Sequence, residues 1–414
     1  MKLYTLLSAF LLTVTLSAQT SVTVSTGPGN AAQTFYSLAN GEQGSAELAS
    51  WDLAFEISGF TSAIRVNTAK GVQAFETPAA ISEWSTVSAP DEANWQALYD
   101  SETYWSESAL SNGNNLSEPD GFNVGWGTYN IITHTIAGSK VYVVVLLDGT
   151  YRKLRINSLA SGTYSFTHSL LDGTDEQTVA LSKSNYTGKN FGYYSFDMGV
   201  MDLEPASATW DLVFTKYTSI IPFPAPTAYP VAGVLQNKTV DALQVDGVDP
   251  MVADWNSAPF DSSMNIIGYD WKTFNMETFV YEYPTDRTYF VADRTGNIWK
   301  LIFIEYGGSA NGDMTFTQEL VSSVGMNESA PQRDLVIYPN PSSDGRLNIV
   351  LDTDVRNGVI SIFDMNGKRV GQQQVNGTGS MALLPLDLNG LEHGIYLVRL
   401  VADGVQYTSR VVLQ

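Results

Sequence analysis

The chain has 414 residues, with 22 Lys+Arg against 43 Asp+Glu, a formal net charge of −21 and no cysteine. Disulfides and thiol chemistry are therefore excluded, and a net acidic field disfavours nucleic acid and anionic lipid as partners. Only three histidines occur, His134, His168 and His393, which limits metal and acid–base chemistry.

In chain order, Lys2, an apolar run over residues 6–16 and Ser17-Ala18-Gln19 read as a signal peptide, residues 1–18, cut between Ala18 and Gln19. That run is too short to span a bilayer as a helix, and no later stretch is long enough, so no transmembrane span is expected. Beyond it the sequence repeats itself. Phe35-Tyr36-Ser37-Leu38 returns as Tyr193-Tyr194-Ser195-Phe196, and Trp51-Asp52-Leu53-Ala54-Phe55 returns as Trp210-Asp211-Leu212-Val213-Phe214. Tyr142-Val143-Val144-Val145 is answered by Tyr289-Phe290-Val291-Ala292, and Tyr164-Ser165-Phe166-Thr167 by Met314-Thr315-Phe316-Thr317. Order is kept throughout, so this part of the chain reads as a tandem duplication, residues 20–172 and 185–322.

Each copy reads as β. Residues 142–147 form a continuous apolar run ended by Asp148-Gly149, and Lys153-Leu154-Arg155-Ile156 then alternates like a hairpin partner with one buried face. Segments 72–124 and 222–266, rich in Pro, Ser, Asn and Trp, read as loops with short helical or strand pieces. Trp51 and Trp210 are expected to anchor the core of each copy, with Asp52 and Asp211 binding nearby backbone NH groups. Residues 172–190 form a polar separator, and Asp172-Gly173-Thr174-Asp175-Glu176, whose oxygens could hold a calcium ion, lacks the full EF-hand pattern and reads as an acidic linker. With no phosphate-cradling loop, no G-x-S-x-G elbow and no H-E-x-x-H, the chain reads as non-enzymatic, without catalytic residues or a metal site.

Residues 323–334 read as a linker and residues 335–414 as a tail of short strands. Leu335-Val336-Ile337 runs into Tyr338-Pro339-Asn340-Pro341, whose prolines forbid regular helix. Strand-like runs follow at residues 347–351, 359–363, 394–400 and 409–413, and Asn366-Gly367 suits a tight hairpin. This is the pattern of a small immunoglobulin-like β-sandwich. Y-P-N-P (338–341), I-S-I-F-D-M-N-G-K (360–368), L-N-G-L-E-H-G-I-Y-L-V (388–398) and R-V-V-L-Q (410–414) resemble the type A C-terminal sorting domain of the type IX secretion system. That resemblance implies the type IX secretion machinery as partner. It also implies a secreted or outer-membrane-surface location on a Gram-negative cell. His393, inside this block, reads as a turn residue.

Within the cargo, Y-Y-S-F…G, W-D-L-x-F, W-x-x-[YF]-N (126–130 and 271–275) and Y-[VF]-V…G…K-L resemble the HmuY-like proteins, surface β proteins whose founding member binds haem. The fold class implied is mostly β: two tandem HmuY-like β-rich domains ahead of the sorting sandwich. The same resemblance implies an axial donor just after W-x-x-[YF]-N. Met276 occupies that position in copy two, and Ile131, with His134 three residues on, in copy one. Met251 and Met264 are the second-donor candidates of copy two, with Trp126, Tyr129, Trp271 and Phe274 as pocket candidates. The alternative is a glycan- or protein-binding module without haem. In it, Trp84, Trp95, Trp105, Trp126, Trp255 and Trp271, set among Asn, Ser and Asp, offer stacking faces.

Overall fold

The structure is a computed structural model that describes residues 19–58, 62–114, 123–222, 225–323, 332–351, 355–364, 369–378, 382–402 and 405–414. The signal-peptide reading through Ala18 and the Asn366-Gly367 turn lie outside these residues.

The first repeat opens with strands β1 (Thr20–Ser25), β2 (Ala32–Ser37) and β3 (Gly41–Glu47). It continues through β4 (Leu53–Glu56), β5 (Ile64–Val66), β6 (Gln73–Ala80), β7 (Gln96–Leu98), β8 (Gly127–Asn130) and β9 (Thr135–Gly138). Three longer strands close it: β10 (Lys140–Val145), β11 (Tyr151–Ala160) and β12 (Thr163–Leu170). β13 (Gln177–Ser182) lies in the expected separator, and the second repeat opens with β14 (Phe191–Ser195) and β15 (Gly199–Met201), followed by β16 (Leu212–Ile221), β17 (Thr227–Gln236) and β18 (Asp241–Val245). It ends with β19 (Thr273–Asn275), β20 (Val280–Glu282), β21 (Thr288–Ala292), β22 (Ile298–Tyr306) and β23 (Asp313–Ser322).

These strands build two sandwiches of matching topology. In the first, the sheet β15-β14-β4-β5 packs on the sheet β13-β12-β11-β10-β6-β7. In the second, β3-β2-β16-β17 packs on β1-β23-β22-β21-β18. Registers agree residue for residue: Tyr194 pairs with Leu53 as Tyr36 pairs with Leu212, and Tyr142 with Leu154 as Tyr289 with Leu301. The cores agree too. Phe55 stacks on Phe166 at 4.8 Å in one, and Phe214 on Phe316 at 5.7 Å in the other. Trp126 and Trp271 fill equivalent places in the two apolar clusters.

The packing units are not the sequence units 20–172 and 185–322. The opening strands of each repeat are exchanged: β1–β3 complete the second sandwich, and β14–β15, with β13 of the separator, the first. The reason lies in the crossings. Sheets β3-β2-β16-β17 and β15-β14-β4-β5 face one another across a seam, so the short links β3–β4 and β15–β16 carry the chain directly from one sandwich to the other. The polar separator is consequently no linker. Leu170 NH donates to the Thr174 carbonyl at 2.9 Å, closing a tight turn, and β13 then pairs along β12.

The tail is a third sandwich with its own core. Its first strands are β24 (Gln332–Asp334), β25 (Val336–Tyr338), β26 (Arg346–Leu351) and β27 (Val355–Phe363), and β28 (Arg369–Thr378), β29 (Ala382–Asp387), β30 (Gly394–Ala402) and β31 (Val405–Leu413) follow. Sheet β24-β31-β30-β27-β28 covers sheet β25-β26-β29 around Leu335, Ile349, Ile360, Val398, Leu400 and Val411. β24 pairs with β31, so the final three residues of the expected linker belong to the tail.

Asp52 and Asp211 hold the exchange together. Asp52 Oδ2 accepts from Phe196 NH and Asp211 Oδ2 from Leu38 NH, each at 2.8 Å, 144 and 173 residues away along the chain. The expectation of backbone partners holds, but each partner belongs to the other repeat. Removing either carboxylate leaves a buried NH unpaired, so Asp52→Ala and Asp211→Ala should each cost about 2 kcal/mol. Hydrogen exchange should lose protection in β14 for Asp52→Ala and in β2 for Asp211→Ala. Loss confined to the mutated residue's own repeat would refute the exchanged architecture.

Candidate functional site

The seam collects the side chains that the two crossings carry. Trp51 and Trp210 immediately precede β4 and β16, where the chain enters a new sandwich. Leu53 and Phe55 then point into one core and Leu212 and Phe214 into the other. The indoles are left on the seam side. Trp51 packs with Ala54, Phe191 and Tyr193, and Trp210 with Phe35, Val213, Leu235 and Met264. They anchor the junction rather than the sandwich interiors, which corrects the sequence expectation.

A loop from the first sandwich locks the junction. Arg65, buried in β5, donates to the carbonyls of Ser101 at 2.7 Å and Tyr104 at 3.2 Å, with its guanidinium 5.2 Å from the Trp105 ring. Burial pushes the Asp100 carboxyl up, opposed by Arg65 and by the NH groups of Ala109 and Val66. Trp105 reaches across, donating its indole NH to the Gln236 carbonyl at 2.7 Å, and Met264 NH donates to the Thr103 carbonyl at 2.8 Å. Lys238 of the second sandwich pairs with Glu56 of the first at 2.5 Å, and Asn190 Nδ2 donates to Asn237 Oδ1 at 2.7 Å. Between these contacts lies a cavity of about 90 Å³, lined by Trp51, Trp105, Trp210, Tyr217, Phe191 and Met264 among others.

A larger, open groove of about 550 Å³ shares Tyr217 and Glu102 with that cavity. Its floor is segment 261–270, which lies flat on β17. Val234 NH donates to the Gly268 carbonyl at 2.9 Å, and a Cβ on Gly233 would meet that same oxygen at 2.4 Å, so only glycine permits the approach. Tyr217 and Tyr269 stand edge to face, 6.5 Å between centroids, beside Asp261, Asn265, Asp270 and Gln244. Burial, then the Glu102 carboxylate, holds the Tyr217 phenol well above its ordinary range, so it stays a hydrogen-bond donor.

Residues 336–414 match the family described as secretion system C-terminal sorting domain. The tail is a sorting domain. It marks the chain as a secreted or cell-surface protein exported by the type IX system and implies contact with that machinery. No helix among the described residues is long and apolar enough to cross a membrane. Among curated proteins none matches the chain. One solved structure, titled a polysaccharide lyase, aligns over 89% of this chain and 40% of its own length, at 9% identity and TM-score 0.16. This chain thus spans well under half of that structure, and so low a score carries no argument.

Ahead of the sorting domain, the four haem-donor candidates lie in different places. Met276 (73% exposed) and His134 sit at the tips of the equivalent hairpins β19–β20 and β8–β9, whereas Met251 (84% exposed) lines a separate surface pocket with Trp255. Met264 is 1% exposed and lines the seam cavity. The W-x-x-[YF]-N repeat has a local cause. Asn130 Oδ1 accepts from the NH groups of Ile132 and Thr133, and Asn275 Oδ1 from those of Glu277 and Thr278, so each Asn builds the hairpin turn. Tyr129 donates or accepts at His134 Nδ1 (2.8 Å), Phe274 packs on Tyr281, and Trp126 and Trp271 are core residues. Trp84 is covered by Lys153 and Arg155, and Trp95 leans on Phe75. His168 is wholly buried. Arg152 can only donate to its Nδ1, so Nε2 carries the proton and donates to Tyr194 Oη at 2.6 Å; burial lowers its pKa to about 4. Sequence reading missed Tyr217, Tyr269, Arg65 and Glu204. Only Arg65, a lone cation inside Ala63-Ile64-Arg65-Val66, carried a signal.

Glu204 lines the seam cavity, accepting from Asn190 NH and from Tyr193 Oη at 3.0 Å, yet burial pushes its carboxyl from 4.5 up to about 7. Between those values the folded protein holds a proton that the unfolded chain releases. The contribution is complete below pH 4.5 and is lost as pH rises towards 7, a span of about 3 kcal/mol. Glu204→Gln should flatten the fall in stability across this window, measured by denaturant unfolding at stepped pH. An unchanged slope would show that Glu204 ionises as freely in the fold as outside it.

Proposed function

We infer that the protein is a non-enzymatic binding protein, released or held at the cell surface, whose cargo takes a glycan in the groove at the seam. The observation that carries this reading is the pairing of Tyr217 and Tyr269 with Asp261, Asn265, Asp270 and Gln244 around about 550 Å³ of open space. Sugar rings present apolar CH faces and a rim of hydroxyls, which ask for aromatic walls and polar side chains that both donate and accept. Neutral glycans fit best, because 15 Lys+Arg stand against 35 Asp+Glu in residues 1–332.

The haem reading that accompanies the HmuY-like resemblance needs two donors facing across one apolar slot. Met264 belongs to the seam and Met251 to another pocket, while Met276 and His134 stand on separate hairpins. The groove therefore takes precedence over the hairpin tips.

A glycan array probed with residues 19–414, with and without calcium, should show retention that Tyr269→Ala weakens at least tenfold or so. Haemin titration should leave the Soret band unshifted. Absence of any glycan retention would remove the reading. A Soret shift lost in the Met276→Ala, His134→Ala double variant would replace it with the haem one.

A further inference from the structure

The larger sheets of the two sandwiches present equivalent outer faces, and the chain covers each differently. In the first, Val143 stands opposite Lys153 and Lys153 opposite Ser169, as Phe290, Lys300 and Glu319 stand in the second. Their neighbours Tyr142 and Tyr289 point into the two cores, so these residues face outward. After β6 the chain folds back over the first face. Trp84 lies over Lys153 and Arg155, at 4.9 and 4.8 Å, and Val87 joins Val143 and Leu171 in one apolar cluster. Lys153 Nζ pins this roof by donating to the carbonyls of Val87 at 3.1 Å and Trp84 at 3.3 Å. Val143, Lys153, Ser169 and Leu171 are buried beneath it.

After β18 the chain starts an equivalent roof and leaves it incomplete. Lys300 Nζ donates to the Pro250 carbonyl, just as Lys153 reaches its own roof. Beyond that contact a hollow of about 370 Å³ remains, with Met251 and Trp255 at its lip. On its floor Lys300, Ile302, Glu319 and Val321 are only half-buried. The floor thus offers apolar surface together with one ammonium, which donates, and one carboxylate, which accepts. An extended peptide asks for that combination: carbonyls and NH groups to pair, and apolar side chains to lay on the sheet.

We propose that this hollow binds an extended peptide carrying a tryptophan and, three residues on, a branched apolar residue, in the place that Trp84 and Val87 fill on the first sandwich. The indole lies on Ile302 and the aliphatic stem of Lys300, and the branched side chain covers Phe290 and Val321. The Lys300 ammonium donates to the peptide carbonyls, and Glu319 accepts from a peptide NH. The hollow shares no lining residue with the groove, so this site stands apart from the glycan reading.

The probe is a peptide of residues 81–88, blocked at both ends and fluorescently labelled, titrated into residues 19–414 and read by anisotropy. Binding should saturate, and replacing Trp84 or Val87 of the peptide with alanine should weaken it about tenfold or more. In the protein, Ile302→Glu on the floor and Met251→Glu at the lip should each weaken it comparably. Met251 is 84% exposed, so its replacement keeps the test clear of folding defects. No saturable binding of the peptide would overturn the site. Binding that survives both protein variants, or that ignores the loss of the peptide's tryptophan, would overturn it as well. None of these results bears on the glycan array.

Discussion

Two short crossings, each carrying Trp-Asp, set the form of the cargo. At each one the carboxylate accepts the NH of a residue from the other repeat, Phe196 for Asp52 and Leu38 for Asp211, both at 2.8 Å. The side chain thus ties the strand just entered to a hairpin contributed from far along the chain. Neither sandwich can close from its own repeat. The second also needs β1, whose residues pair with β23 from Thr20 opposite Gln318 to Ser25 opposite Asp313. The first and last strands of the cargo are therefore neighbours, and the exported unit is closed end to end just ahead of the sorting domain. Such long-range pairing costs loop-closure entropy before it is rewarded, which makes the cargo a slow folder by topology.

The same crossings explain why the seam is polar where sandwich interfaces are usually apolar. Glu56 with Lys238, Asn190 with Asn237, and Arg65 with Asp100 all lie there, largely removed from water. Buried pairs of this kind add little net stability, because desolvation offsets their attraction. Breaking one, however, leaves an unpaired charge, so they penalise alternatives in which each hairpin folds back on its own repeat. The aromatic side chains between them, Trp51, Trp105 and Trp210, supply the area that holds the two bodies in contact.

The parts of the fold legible in the sequence were those with a local cause. The β class and the sorting sandwich follow from alternation, turn residues and recurring motifs, and the register of Tyr142 on Leu154 in one sandwich matches that of Tyr289 on Leu301 in the other. Two tail strands, β28 and β29, escaped notice because Gln372-Gln373-Gln374 and Leu383-Leu384-Pro385 lack clean alternation. The exchange of hairpins was invisible for a different reason. A strand's pattern says that it buries one face, not which sheet receives it, and equivalent sheets accept equivalent hairpins equally well. Trp51 and Trp210 were misplaced for the same cause: their position depends on where the chain crosses. The groove was illegible because Tyr217 and Tyr269 meet only through the approach that Gly233 permits.

The groove lies where the two sandwiches differ. β4 runs only from Leu53 to Glu56, the part equivalent to the start of β16, whereas β16 continues to Ile221 and β17 answers it over its whole length. Tyr217, Ser219 and Ile220 all lie on this extension, beyond anything β4 provides, and all line the groove. The extension also reaches over the first sandwich, where Thr68 and Thr218 hydroxyls meet at 2.8 Å, so it serves as a strut as well as a wall. Asymmetry of this kind follows from the physics of a seam between like bodies. Shared residues must satisfy one another across the junction and are fixed by it. An overhang on one side is free to change and borders solvent, which is where a ligand can arrive.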